Sequence, residues 1–186
     1  MQSNNSELIV LLDHDGEPIG SAPKLASHHS DTPLHLAFST YIFNDIGELL
    51  VTRRADSKKV WNGVWTNSCC GHPAPDEAMN DAISRRVKYE IGMEVSDLKL
   101  IVPDYRYTTP PHNGIIENEV CPIYFARSNQ VPQPNSEEVS DYEWMSWKAY
   151  TKRLTSDTKD LWSWWCKDQL KRLVDMPEII DYIVKK

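Results

Sequence analysis

The chain has 186 residues, 40% hydrophobic and 25% charged, with a formal net charge of -7. That length suits one domain with a full core, and an acidic balance with no basic run argues against a nucleic-acid partner. No apolar run could cross a bilayer, and MQSNNSELIV lacks a basic start followed by an apolar core, so neither a membrane anchor nor a secretory leader is expected.

ELIVLLD (Glu7 to Asp13) reads as a first strand, closed by the turn signal DHDG. KLASHHSDTP reads as a polar loop with two histidines. LHLAFSTYIF and ELLVTRR are strand-like and joined by NDIG, which predicts a hairpin. VWTNS is a further short strand. The clearest helix follows: Pro75, Asp76 and Glu77 open it, and Ala78, Ala82, Ile83 and Val87 recur at helical spacing. Gly92 stands just past its end. LKLIV, IIENEVCPIYFA and SDYEWMSW read as strands, and two helices close the chain, roughly Thr158 to Val174 and Pro177 to Val184. A mixed sheet with flanking helices packs such elements. There is no internal repeat.

The four cysteines, at 69, 70, 121 and 166, do not form a disulfide framework, because neighbours such as Cys69 and Cys70 pair only with strain. A reducing cytoplasm is the expected setting. The stretch TNSCCGHP then admits three readings: a structural zinc site, a catalytic thiol or a plain tight turn. With no second Cys pair at zinc-finger spacing, a zinc ribbon drops out.

In GIIENEVCP, Glu117 and Glu119 lie two apart, so a strand places both carboxylates on one face. Like charges so close call for a cation or proton between them. A solvated strand face is the alternative, but Ile115 and Cys121 share that face and are apolar. His28, His29, His35 and His72 are each weak signals, since a lone histidine is more often structural. Together with the two glutamates they offer a mixed nitrogen and oxygen shell that suits Mg, Mn or Zn. Arg53, Arg54, Lys58 and Lys59 cluster after a strand, either as a solvated turn or as a site for an anion.

Gly71, Glu77, Arg85, Glu90 and Gly92 fit the spacing of the Nudix box, a phosphate-handling signature. Arg86 and Tyr89 stand where two of its metal-binding glutamates belong. Losing them should disable metal-assisted attack of water on a diphosphate. Beyond the box, HHSDTPLHLAFS, LLVTRRADSKKVWNGVWTNSCCGHP, RRVKYEIG, PDYRY and GIIENEVCP run in order from about Lys24 to Trp147. In these stretches the chain resembles the type 1 isopentenyl-diphosphate Δ-isomerases, which share the damaged box.

The resemblance implies an α+β fold, an α/β/α sandwich with a Nudix core about 33–167 inside a single domain 1–186. An additional N-terminal strand and C-terminal helices would flank it. It implies interconversion of isopentenyl and dimethylallyl diphosphate through a tertiary carbocation. Carried over by motif, Cys70 is the catalytic thiol, Glu119 the catalytic carboxylate and Tyr107 its hydrogen-bond partner. His28, His35, His72, Glu117 and Glu119 become the shell of one metal (Mg, Mn or Zn). Glu90 would hold Mg with the diphosphate, and Lys24, Arg54, Lys58 and Arg86 would neutralise the phosphates. A tryptophan facing the cation would be Trp164 or Trp165, depending on how LWSWWCK is aligned. The implied partner is a small-molecule diphosphate, and oligomeric state is left open. A Nudix hydrolase and a non-catalytic binding module are the rival readings.

Overall fold

The computed structural model describes residues 7–184; residues 1–6, most of the stretch read for a leader, lie outside the described residues. The first strand forms as β1 (Leu8–Leu12). At DHDG the Asp13 carboxylate accepts the amides of Asp15 and Glu17 and turns the chain into β2 (Pro18–Pro23), a strand the sequence did not announce. The polar loop begins as one helical turn, α1 (Lys24–Ser27), and His35 opens β3 (His35–Leu36).

The expected hairpin is β4 (Phe38–Phe43) and β5 (Glu48–Arg54). At its turn Asn44 Oδ1 accepts the Glu48 amide and Gly47 takes φ 80°, a conformation that favours glycine. Two short strands follow, β6 (Trp65–Thr66) and β7 (Cys69–Gly71), so the CCG stretch is a strand and the turn reading fails. Helix α2 (Met79–Ile91) starts later than Pro75. Asp76 sits at φ 63°, which a helix cannot contain, and Glu77 is engaged by Arg85. Gly92 ends the helix as expected, left-handed at φ 70°, its amide on the Lys88 carbonyl.

Strands β8 (Ser96–Val102) and β9 (Arg106–Thr108) come next. IIENEVCPIYFA is two strands, β10 (Asn118–Val120) and β11 (Ile123–Arg127), parted at Cys121 and Pro122. Ile115 is not on either; it closes a small turn with His112. After β12 (Val139–Ser146) an unforeseen helix α3 (Trp147–Thr155) begins, capped by the Ser146 side chain accepting the Ala149 amide. The helix expected from Thr158 starts only at Trp164, as α4 (Trp164–Leu173), because the Asp157 carboxylate gathers the amides of Lys159, Leu161 and Trp162 into a loop. Helix α5 (Glu178–Ile183) closes the described chain.

Two mixed sheets result. The larger runs β12-β5-β4-β11-β8, with β6 on β5 and β7 on β4. The smaller runs β2-β1-β3-β10-β9. Strand β4 is buried along its whole length because both faces of the larger sheet are covered. Phe38 and Ile42 pack with Ala82, Ile83 and Val87 of α2. Tyr41 and Phe43 point the other way, toward Trp147, Tyr150 and Leu170 on α3 and α4. This is the α/β/α sandwich of an α+β fold. In place of a single extra N-terminal strand it carries a whole second sheet, to which the N-terminal hairpin contributes.

Candidate active site and metal centre

The smaller sheet sets the site by register. Glu119 on β10 pairs with His35 on parallel β3 and with Tyr107 on antiparallel β9. Three strands therefore place a histidine, a carboxylate and a phenol in one row. The Tyr107 hydroxyl donates to Glu119 Oε2 at 2.7 Å. Glu119 Oε1 lies 3.5 Å from His35 Nε2 and 3.2 Å from His72 Nε2. His28 Nε2 is 3.2 Å from Glu117 Oε2, and the three imidazole centroids are 4.9 to 5.7 Å apart.

Backbone carbonyls aim two of these rings. His28 Nδ1 bonds the Lys24 carbonyl at 2.6 Å and His35 Nδ1 the Pro33 carbonyl at 2.9 Å. A carbonyl only accepts, so Nδ1 carries the proton and each Nε2 presents a lone pair inward. His29 is exposed, with Nδ1 accepting the Asp31 amide, and stands outside the cluster. Arg85 holds the backbone that carries the third ring: its guanidinium grips both oxygens of Glu77 and reaches the His72 carbonyl at 3.2 Å.

The residues present fit a divalent cation. Buried polar atoms normally have partners, yet His35 Nε2 and Glu117 Oε2 have no hydrogen-bond partner. The three Nε2 ligands and the carboxylates offer the donor set of a borderline or hard metal. Burial and the Lys24 charge push His72 down to about 4, against Glu119, so it stands neutral and able to ligate. Burial would raise the Glu119 carboxyl, but the adjacent His35 and His72 rings outweigh it and hold the group well below the usual carboxylate range. For His28, the pairing with Glu117 overcomes burial and raises the ring.

Cys70 belongs to the other sheet. It is the register partner of Ser39 on β4. Strand alternation sends Cys69 and Cys70 to opposite sides. Cys69 packs in the α2 cluster, its thiol donating to Glu90 Oε2 at 3.5 Å. Cys70 donates to Asn67 Oδ1 at 3.1 Å and packs against the other core cluster, which includes Tyr107 and Trp165 and is flanked by Trp61 and Trp164. His72, two residues on, follows Cys70 toward Glu119. Burial pushes the Cys70 thiol up to about 12, against its bonds to Ser39 and Asn67, so it rests protonated. Both α4 tryptophans reach this region. Trp164 stacks on Tyr107 at 5.8 Å, and buried Trp165 donates through Nε1 to Thr66 and Asn67.

The charged residues form a separate cluster. Arg86 pairs with Glu90, lies 3.7 Å from Glu7 and 3.6 Å from Glu138. Lys24 bonds Glu7 at 3.0 Å and Lys58 bonds Glu138. Three formal positive charges thus meet three negative ones, and Glu7 Oε1 is buried without a hydrogen-bond partner. Glu7 and Glu138 escaped the sequence reading, since nothing local marks a carboxylate that pairs across the fold. Arg54 is not brought into this cluster. Its guanidinium donates to the Trp61 and Val60 carbonyls and sits 5.7 Å from the Trp165 ring.

Known proteins match this chain over most of its length. The NUDIX domain model matches residues 33–165. A Saccharopolyspora erythraea protein named isopentenyl-diphosphate Delta-isomerase is 48% identical over 91% of this chain and 87% of its own length. One of the same name from Mycolicibacterium vanbaalenii is 51% identical over 79% of this chain and 81% of its own. A crystal structure of a Deinococcus radiodurans protein superposes with a TM-score of 0.67 at 17% identity, covering 89% of this chain and 98% of that one. A MutT protein from Methanosarcina mazei gives 0.59 at 19%, covering 77% and 95%. These two structures share the fold; the first two relatives share about half of the sequence over most of the chain. The chain therefore belongs to the NUDIX-domain proteins and, among them, to the isopentenyl-diphosphate Delta-isomerase family.

Proposed function

We propose that this chain interconverts isopentenyl and dimethylallyl diphosphate, with Cys70 and Glu119 as its two proton-transfer groups. The observation that carries the assignment is the placement of a protonated thiol and a Tyr107-bonded carboxylate on two different sheets, with His72 following Cys70 toward Glu119. An unactivated alkene is a poor base and needs a positioned acid. One of the two groups delivers a proton to the terminal alkene carbon. The π electrons form that C–H bond and leave a tertiary cation. The other group removes a proton from the adjacent methylene, whose C–H electrons become the new double bond. The net change is zero in atoms and electrons.

Trp164, Trp165 and Trp61 supply aromatic faces that shield and stabilise a cation. Tyr107 fixes Glu119 from the side away from the histidines. His28, His35, His72, Glu117 and Glu119 would hold one divalent ion, Mg, Mn or Zn, whose charge polarises the Glu119 carboxyl. Lys24, Lys58 and Arg86 would face the diphosphate, with Arg54 on the wall beside Trp165. Because the charged cluster is formally neutral, Mg brought with the diphosphate and held at Glu90 would supply the missing positive charge. We read the chain as one domain, working in the cytoplasm, where a catalytic thiol stays reduced. No described helix is long and apolar enough to cross a membrane.

The test is direct. Purified protein with Mg and isopentenyl diphosphate is followed by NMR, with inorganic phosphate assayed in the same tube. Dimethylallyl diphosphate without phosphate release supports the isomerase. Phosphate without isomer overturns it and revives a hydrolase.

A further inference from the structure

Asn67 is fully buried on the link between β6 and β7. Its amide cannot be turned round. Nδ2 donates to the carbonyls of Thr40 (3.1 Å) and Cys69 (3.2 Å). Both amide hydrogens are thereby used, and the oxygen is fixed on the opposite side. That oxygen accepts from Cys70 Sγ at 3.1 Å. Thr66 Oγ1 (3.0 Å) and Trp165 Nε1 (3.2 Å) donate to it as well and lock it further.

Ser39 is oriented by the same logic. The Tyr41 hydroxyl donates to Gln169 Oε1 at 2.7 Å, which leaves Gln169 Nε2 to donate to Ser39 Oγ at 2.8 Å. With its oxygen so engaged, Ser39 has its own hydrogen left for Cys70 Sγ, 3.4 Å away, or Cys121 Sγ, 3.5 Å away. Ser39, Asn67 and Gln169 are all buried in an aromatic core, where polar groups are costly unless partnered. Here Gln169 partners Ser39, Asn67 is held by its own neighbours, and Ser39 and Asn67 both reach the Cys70 sulfur.

We propose that Asn67 and Ser39 are positioning residues for the Cys70 proton transfer, a proposal that rests on the isomerase reading above. Asn67 offers an acceptor when the sulfur carries its proton. Ser39 offers a donor when the proton has passed to or come from a substrate carbon. The two fixed dipoles hold the sulfur in one direction through both states, so the S–H bond breaks or forms toward the same carbon at each turnover. No group beyond the thiol and the substrate changes its bonding.

The experiment uses Asn67→Ala, Ser39→Ala and Ser39→Thr, each checked for folding by thermal melting. Two isotope effects on kcat are read: one with substrate deuterated at the methylene, the other in D2O, which reports the proton delivered to the alkene. The expected loss in kcat is about 10²-fold for Asn67→Ala and about 10-fold for Ser39→Ala, with KM within about twofold. Only one of the two isotope effects should rise, because only the transfer served by Cys70 is slowed. Ser39→Thr, which keeps the hydroxyl, should recover most of the rate. If Asn67→Ala does not fold, the Ser39 pair decides. Unchanged kcat, or both isotope effects moving together or not at all, overturns the proposal alone. A wild-type protein that does not isomerise overturns the functional reading and this proposal with it.

Discussion

Glu119 and His35 are register partners in a parallel strand pair, with the Glu119 carboxylate 3.5 Å from the imidazole. Backbone pairing, more than side-chain reach, therefore sets their distance. Glu119→Gln keeps the shape and the Tyr107 contact but removes the ionisable group. It should fold normally and lose about 10²–10⁴-fold in kcat, as should Cys70→Ala. Steady-state rates with matched melting curves check this. Wild-type rates in either variant would end the two-group mechanism.

Tyr107→Phe removes the Tyr107 hydroxyl that donates to Glu119 Oε2 and touches nothing at the charged cluster. We expect kcat to fall about 10- to 100-fold, with KM for the diphosphate nearly unchanged. A rise in KM with kcat intact would mean that Tyr107 serves binding instead.

Removing or adding metal should register in stability as well as activity. A cation at 100 times its Kd contributes about 2.7 kcal/mol to a folded state that alone can bind it. Melting curves with Mn, Zn or Mg should rise, fall back with chelator, and stay flat in His35→Ala. A flat response in the wild-type protein would contradict a metal at the histidines.

The acid limb of stability should depend on Glu7. Burial raises its carboxyl, but Lys24 and Arg86 outweigh that and hold it at about 2, against an ordinary 4.5. A depressed carboxyl stabilises the fold above the unfolded value and loses that contribution as pH falls through the folded one. The difference of roughly 2.5 units corresponds to an upper bound of about 3 kcal/mol. Glu7→Gln should therefore be less stable than wild type at neutral pH, with the gap closing between about pH 4.5 and 2. Denaturant unfolding at several pH values measures it, and a constant gap would sink the assignment.

What the sequence revealed follows chemistry that is local. Glu117 and Glu119 announced themselves by two-residue spacing, and His28, His35 and His72 by the stretches they sit in. The helix ending at Gly92 showed in its periodicity. Glu7 and Glu138 gave no such signal, because each meets its cation only after the sheets assemble. Helix α3 was hidden because the alternation of SDYEWMSW runs straight into Trp147, the first residue of the helix. The choice between Trp164 and Trp165 had no answer in one dimension. In the fold both matter, one stacked on Tyr107 and the other bonded to Asn67.

The alternation of Cys69 and Cys70 along β7 makes strand register a chemical address. A slip of one residue against β4 would turn each side chain of β7 to the opposite face and offer the active site the wrong sulfur. Two anchors oppose that slip. The Asn67 amide ties Thr40 to Cys69, and Gly71 leaves no room for a side chain, since a Cβ there would lie 2.9 Å from both Arg86 and Phe38. Filling that space, as in Gly71→Ala, should therefore press on the register and cost activity by misalignment, with every functional residue still encoded.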